Sequence, residues 1–140
     1  MKLQEIKNID ISGKRVFIRC DFNVPMDEYN NITDDRRIRS ALNTVRYCID
    51  NDCSIILASH FGRPKNGFEE EFSLKPIAKR LHTLLKQEIK MAPSIICDDT
   101  IAMASSLEIS FLSKVFFCLA NSFILASIFG RSASVIVFSS

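Results

Sequence analysis

The sequence predicts an α/β protein whose parallel sheet is covered by helices on both faces. Two short apolar runs, residues 16–18 and 55–58, have the length and the Val/Ile/Phe content of buried parallel strands. Between them, apolar side chains from Ile38 to Ile49 recur at helical spacing. A strand, a helix and a second strand in this order predict a right-handed crossover between neighbouring parallel strands.

The first half of this unit has clear boundary signals. A turn at Gly13 precedes the first strand, which is predicted over about 15–22 and closed by Pro25, because proline cannot donate to a ladder. Thr33 is the predicted N-cap of a helix over about 33–50. The second strand follows at about 54–60.

The second half repeats the alternation. Ser73 is expected to cap a helix over about 73–87, with Pro76 in the first turn, where a missing N–H costs little. A short third strand is predicted at about 89–92. A last helix is predicted over about 98–107.

Composition limits the classes of partner. A net charge of +2 is too small to indicate nucleic acid or an anionic membrane surface. The five cysteines form no C-x-x-C pair, so their spacing predicts neither a metal site nor a disulfide framework. Together with an N-terminus that lacks a signal-peptide pattern, this indicates a reducing, cytoplasmic location.

The composition changes abruptly after Glu108. All 16 acidic residues lie between Glu5 and Glu108, whereas the last segment, 109–140, is rich in Ser and Phe and has only two basic groups. We therefore divide the chain into an α/β domain at 1–108 and a hydrophobic tail at 109–140. A shifted reading frame and a natural hydrophobic C-terminus both account for the tail, and the nucleotide sequence around codons 105–112 would separate them.

Two polar segments follow the predicted strands. Asp21 and Asn23 follow the first strand, and His60 and Arg63 follow the second, while Arg37 lies in the opening turns of the helix between them. Because ligands bind outside the carboxyl ends of parallel strands, these five side chains are predicted to meet in one pocket.

Each of these residues has a simpler explanation when it is taken alone. Asp21 and Asn23 could bond only to local backbone, as Asx residues do in turns, and Arg37 could be a solvated helix residue. A lone His60 is more often a satisfied histidine than a functional one. The set favours a ligand, because three cations facing two polar acceptors suit a small acid that carries carboxylate and phosphate groups.

From Met1 to about Glu108 the chain resembles phosphoglycerate kinases. The resemblance rests on the segments Arg19 to Pro25 (R-x-D-x-N-x-P) and Ser59 to Pro64 (S-H-x-G-R-P), and on Arg37 before an Ile. Phe61 stands where Leu is usual. The resemblance implies a Rossmann-like N-terminal domain of which this chain holds an incomplete version. It also implies that 3-phosphoglycerate or 1,3-bisphosphoglycerate is bound by these residues: Asp21, Asn23, Arg37, His60 and Arg63.

The resemblance further implies reversible phosphoryl transfer between ATP and 3-phosphoglycerate in glycolysis, with Arg37 as the catalytic residue that contacts the phosphoryl group, in an enzyme that is usually monomeric. Mg-ATP or Mg-ADP would bind to a second domain, and the four glycines of this chain form no phosphate loop. An Asn-Leu-Arg-like segment with a further substrate arginine, and the strand before it, are not recognisable after Glu108. We therefore expect a truncated kinase that is inactive alone.

A second hypothesis treats the chain as a small non-catalytic protein. Its Phe-rich tail would bind a membrane or a partner, and the kinase-like part would serve as a scaffold. Partition between soluble and membrane fractions separates the two hypotheses.

Overall fold

A computed structural model of the chain describes residues 5–59, 61, 73–91, 115–119 and 135–138. After a 3-10 turn at Ile6–Asn8, the described elements are β1 (Arg15–Arg19), α1 (Arg36–Asp50), β2 (Ser54–Ser59), α2 (Lys75–Leu85), β3 (Ile89–Met91), β4 (Val115–Leu119) and β5 (Val135–Phe138). The predicted helix over 98–107 lies outside the described residues.

The five strands form one sheet in the order β3-β4-β2-β1-β5. Neighbouring strands pair in parallel throughout, and β1 pairs with β2 in a register that runs from Arg15 opposite Ser54 to Arg19 opposite Ala58. This confirms the prediction that the first two strands are parallel neighbours.

Both described helices pack against the same face of the sheet. Val16 and Ile18 of β1 and Ile55 and Leu57 of β2 join one buried cluster with the apolar sides of α1 and α2. In the sheet, β2 lies to one side of β1, and β3 lies further to the same side. Two right-handed crossovers that run in the same direction place their helices on the same face of the sheet. Burial of each such side chain contributes about 1.5–3 kcal/mol.

The opposite face of the sheet is buried as well. Phe17 of β1 is 3% exposed, and Ile56 and Ala58 of β2 are 0% and 2% exposed. Successive side chains of a strand point to opposite faces. Because both the odd and the even positions are buried, β1 and β2 are covered on both faces of the sheet. The continuous apolar runs noticed in the sequence have this physical cause.

Two boundary predictions differ from the structure. Strand β1 ends at Arg19, before the predicted end at about residue 22, so Asp21 and Asn23 lie in the following non-strand segment. Thr33 is not the N-cap of α1, which begins at Arg36 after Asp35. The hydroxyl and the backbone N–H of Thr33 both donate to the carbonyl of Pro25, at 3.2 and 3.1 Å, so Thr33 closes the preceding loop instead.

The start of α2 agrees better with expectation. The helix begins at Lys75 with Pro76 in its first turn. The Ser73 hydroxyl accepts a hydrogen bond from the Lys75 N–H at 3.3 Å. Ser73 therefore satisfies one of the free N–H groups at this end, although Leu74 occupies the N-cap position.

The expectation that the tail supplies no strand to the sheet is wrong. Both β4 and β5 come from the segment 109–140, and they pair with β2 and β1 respectively. The two strands are short runs of aromatic and β-branched residues, and periodicity alone cannot identify such runs as strands. We also expect the chain to be poorly soluble and the tail to show weak hydrogen-exchange protection, and both expectations stay predictions.

None of the helices in the described ranges is both long enough and apolar enough to cross a membrane.

Candidate functional site

The candidate site begins where β1 and β2 end side by side. The Cys20 N–H donates to the Ala58 carbonyl at 2.8 Å, and the Phe22 N–H donates to the Ser59 hydroxyl at 3.0 Å. Phe22 is fully buried and Ser59 is 2% exposed. These two bonds fix the segment after β1 against the end of β2, so Asp21, which lies between Cys20 and Phe22, is held at this edge of the sheet.

Asp21 uses both carboxylate oxygens. One accepts a hydrogen bond from the Asn23 N–H at 3.2 Å, which makes a local turn, and the other forms an ion pair with the Arg37 guanidinium. The side chains of Asp21 and Arg37 are 50% and 55% exposed. The pair therefore bridges the end of β1 and the start of α1 while remaining open to solvent.

Arg37 is positioned by the helix that carries it. Its neighbour Ile38 is fully buried in the core, which fixes the rotation of the first turn of α1. Ser40 donates its hydroxyl proton to the Arg37 carbonyl at 2.7 Å. Arg37 lines a surface cavity of about 320 Å³ together with Pro25, Asp34, Arg36 and Ser40. That volume is at the lower end of the range for small-ligand sites.

Arg36 has a different environment from Arg37. It makes an ion pair with Asp34, two residues earlier, at 2.5 Å. Hydrogen bonds from Arg36 lower the pKa of the Asp34 carboxyl to about 2. Arg36 is therefore tied to its own loop, whereas Arg37 reaches a different element.

A second ionic cluster lies behind the first turn of α1. Asp35 accepts hydrogen bonds from Arg39 at 2.8 Å and from Arg80 of α2 at 2.9 and 2.7 Å. Hydrogen bonds from Arg39, and then from Arg80, lower the pKa of the Asp35 carboxyl. Sequence reasoning missed this link, because no local pattern pairs residues so distant in the chain.

A larger cavity of about 850 Å³ lies between the loop before α1 and helix α2. It is lined by residues 30–35 and by Lys75, Pro76, Lys79, Arg80 and Thr83. Of the predicted site residues that the structure describes, none lines this larger cavity, and Arg37 lines the smaller one.

Three of the five predicted site residues thus come together. Asp21 contacts the backbone N–H of Asn23 and the guanidinium of Arg37. His60 and Arg63 lie outside the described residues. Convergence of all five on one pocket stays a prediction.

Comparison with known proteins gives consistent results. The chain matches a family model described as "Phosphoglycerate kinase" over residues 6–118, which extends beyond Glu108 into β4. It is 82% identical over 108 residues to the phosphoglycerate kinase of Aliarcobacter butzleri, covering 77% of this chain and 27% of that protein. The corresponding protein of a Nitratiruptor species is 62% identical over 109 residues, covering 77% of this chain and 27% of that protein. The chain thus spans about a quarter of the length of these relatives.

Solved structures show the same fold. The phosphoglycerate kinase from Pyrococcus horikoshii OT3 superposes with a TM-score of 0.79 over 97% of this chain and 36% of that chain, at 21% identity. The enzyme from Coxiella burnetii superposes with a TM-score of 0.70 over 95% of this chain and 34% of that chain, at 27% identity. The parallel sheet with its helices is therefore an incomplete Rossmann-like domain of the kind found in those proteins.

Proposed function

This chain belongs to the phosphoglycerate kinase family, and we propose that it carries part of the site at which the family binds 3-phosphoglycerate. The observation that carries the proposal is the ion pair between Asp21 and Arg37 across the end of β1. The residues that complete the site would be His60 and Arg63, with Asn23 beside Asp21. The proposed location is the cytoplasm, as a monomer.

The exposure of this ion pair supports a binding role. An exposed pair is worth only about 0–1 kcal/mol, so an incoming anion can replace Asp21 at the Arg37 guanidinium at little cost. A phosphate or carboxylate group would then receive charge-assisted hydrogen bonds from Arg37. Asp21 and Asn23, once released, would accept hydrogen bonds from a substrate hydroxyl and orient it.

In the family reaction, a phosphoryl group passes reversibly between ATP and the acid, and Arg37 would stabilise charge on the transferred group. We propose that Mg-ATP and Mg-ADP bind to a second domain of the family. Gly13, at a turn with a φ of 66°, is the only glycine in the described part of the chain, so the described residues build no glycine-rich phosphate loop. We propose that this chain alone transfers no phosphoryl group.

The test is a titration of the full chain with 3-phosphoglycerate, followed by NMR. Signals of Asp21, Asn23, Arg37, His60 and Arg63 should move together, and only at high ligand concentration. A further substrate arginine is not recognisable in this sequence, and each charge-assisted bond that is absent removes about 1.5–3 kcal/mol. Shifts spread evenly over the surface would contradict the proposed site.

Arg36 provides a matched control for Arg37, since both are exposed residues of the same helical turn. Arg37→Glu should abolish the shifts, whereas Arg36→Glu should weaken them less. Equal effects of the two variants would mean that the wrong arginine has been assigned. Phosphoryl transfer from ATP by this chain alone would contradict the proposal that it lacks a nucleotide site. Recovery of the chain in the membrane fraction would favour the alternative of a hydrophobic tail that binds a membrane.

A further inference from the structure

The C-terminus of α1 brings two cysteines together. The Cys53 N–H donates to the Cys48 carbonyl at 3.0 Å, and the Asp52 N–H donates to the Ile49 carbonyl at 3.0 Å. Asp52 has a positive φ of 57°. These are the bonds and the left-handed residue of a Schellman motif, in which the side chains at the positions of Cys48 and Cys53 contact each other.

Both thiols are completely buried. Cys48 and Cys53 each have 0% exposure, and they belong to one cluster with the core faces of β1 and β2. The Cys53 thiol also donates to the Ile11 carbonyl at 3.0 Å. Burial raises the pKa of the Cys48 thiol to about 12, with a smaller contribution from Cys53 beside it. In the structure both cysteines are in the reduced form.

We propose that Cys48 and Cys53 are a modification site, a dithiol that closes to a disulfide across the end of α1. The oxidant is a low-molecular-weight disulfide such as oxidised glutathione. One protein thiolate attacks it and releases one glutathione thiol, and the second protein thiol then displaces the other. The protein loses two electrons and two protons, and the reagent gains them as two thiols.

The backbone supplies the required proximity. A disulfide needs α-carbons about 4.4–6.8 Å apart, and the direct backbone bond between Cys53 and Cys48 holds the two residues close in the folded state. In the unfolded chain, the same residues are joined only by a flexible loop. Folding therefore favours the bridge, and by linkage the bridge favours the fold.

Burial controls when the reaction takes place. Thiol–disulfide exchange needs a thiolate that is in contact with the reagent. A buried thiol with a raised pKa is neither deprotonated nor accessible to the reagent. The bridge should therefore form rapidly while the chain folds and slowly once the core has closed. The same burial would protect a finished bridge from reduction.

Cys20 is the internal control for this site. It is buried like the pair, at 3% exposure, and burial raises the pKa of its thiol to about 12. It lies after β1, at the other end of the strands from the turn that holds Cys48 and Cys53. If burial alone governed oxidation, Cys20 would behave like the other two.

The experiment equilibrates the full chain in glutathione buffers of graded redox ratio, once under native conditions and once in concentrated urea. After acid quenching and alkylation, trypsin releases the tryptic peptide 47–65, which contains both Cys48 and Cys53. The bridge is read as loss of two hydrogen atoms from this peptide, together with failure to alkylate it. Cys20 is read separately in the peptide 20–36.

The effective concentration of one thiol at the other, calculated from the redox ratio at which half of the pair is bridged, should be at least about tenfold higher in the native chain than in urea. The reason is that the motif pre-orients the two thiols. Refolding in the buffer should reach equilibrium faster than treatment of folded protein. Cys20→Ser should leave the bridge intact, and Cys53→Ser should remove it. An equal or lower effective concentration in the native chain, or Cys20 bridged to either residue, would overturn the proposal.

Discussion

The carboxylate of Asp35 joins two helices, because it accepts both the Nε and the Nη2 protons of Arg80 at 2.9 and 2.7 Å. Asp35 directly precedes α1, and Arg80 lies in the middle of α2. The Asp35 side chain is only 19% exposed. This pair holds the start of α1, and with it Arg37, at a fixed distance from α2.

A double-mutant cycle tests this link. Asp35→Asn and Arg80→Gln should each lower the free energy of unfolding, and the double variant should lose less than the sum of the two. The measurement is urea denaturation of the four proteins. Arg39 is the matched control, because it binds the same carboxylate from within α1 and is 53% exposed against 37% for Arg80. A larger coupling energy for Arg39 than for Arg80 would contradict the link between the helices.

Ser59→Ala should destabilise the protein by about 1–3 kcal/mol, because it leaves the buried Phe22 N–H without its acceptor. Thr83→Ala is the control. That hydroxyl is also hydrogen bonded, to the Lys79 carbonyl at 3.0 Å, but it lies on the exposed side of α2. Its removal should change stability by less than about 0.5 kcal/mol. Urea denaturation measures both, and similar losses would show that the bond at the strand ends is unimportant.

Stability should fall in acid partly through Asp34. Hydrogen bonds from Arg36 lower its folded pKa to about 2, from an ordinary value of 3.8. A lowered carboxyl pKa contributes stability above the unfolded pKa and loses that contribution as pH falls through the folded one. The loss therefore occurs between about pH 4 and pH 2.

Denaturation midpoints at several pH values across this window provide the measurement. Asp34→Asn should remove the share of the pH dependence that comes from Asp34. Arg36→Gln should remove only the part that the Arg36 side chain supplies, because the backbone N–H of residue 36 still donates to the Asp34 carboxylate. Asp27 and Asp35 also have lowered pKa values, so a slope should remain. If the denaturation midpoint of either variant depended on pH as strongly as that of the wild type, the pair between Asp34 and Arg36 would be excluded as a cause of this dependence.

Lys86→Gly should stabilise the protein by roughly 0.5–1 kcal/mol. Lys86 ends α2 in the left-handed region, with a φ of 54°, where a side chain with a Cβ is strained and glycine is not. The same substitution at Lys79, inside the helix, should cost about 1 kcal/mol. Thermal or urea unfolding measures the change in the free energy of unfolding at each position. If glycine destabilised the protein at both positions, Lys86 would not be strained.

The sequence predicted those elements that have strong local patterns. The stripe from Ile38 to Ile49 gave α1 within a few residues, and the continuous apolar run before Ser59 gave β2, because burial of these side chains is itself what forms the elements. The pairing of β1 with β2 followed from the short helical crossover between them.

Other features depended on distant partners. β1 ends at Arg19 because the Phe22 N–H donates to the Ser59 hydroxyl instead of continuing the ladder. Thr33 does not cap α1 because its hydroxyl donates to the Pro25 carbonyl. Strands β4 and β5 had no periodic signal, and periodicity alone cannot identify a short apolar run as a strand. At the site, the residue types were predictable, whereas the choice of Asp21 as the partner of Arg37 depended on the fold.

The strand order also bears on how the chain folds. Val16 in β1 pairs with Val135 in β5, so a contact of the first strand is made by a residue that lies far later in the chain. Contacts of such long sequence separation form slowly, because the loop entropy is lost before the contact is gained. Until β5 arrives, one edge of β1 is an unpaired template for other chains. Nascent chains should therefore depend on chaperones or low concentration more than the compact sheet suggests.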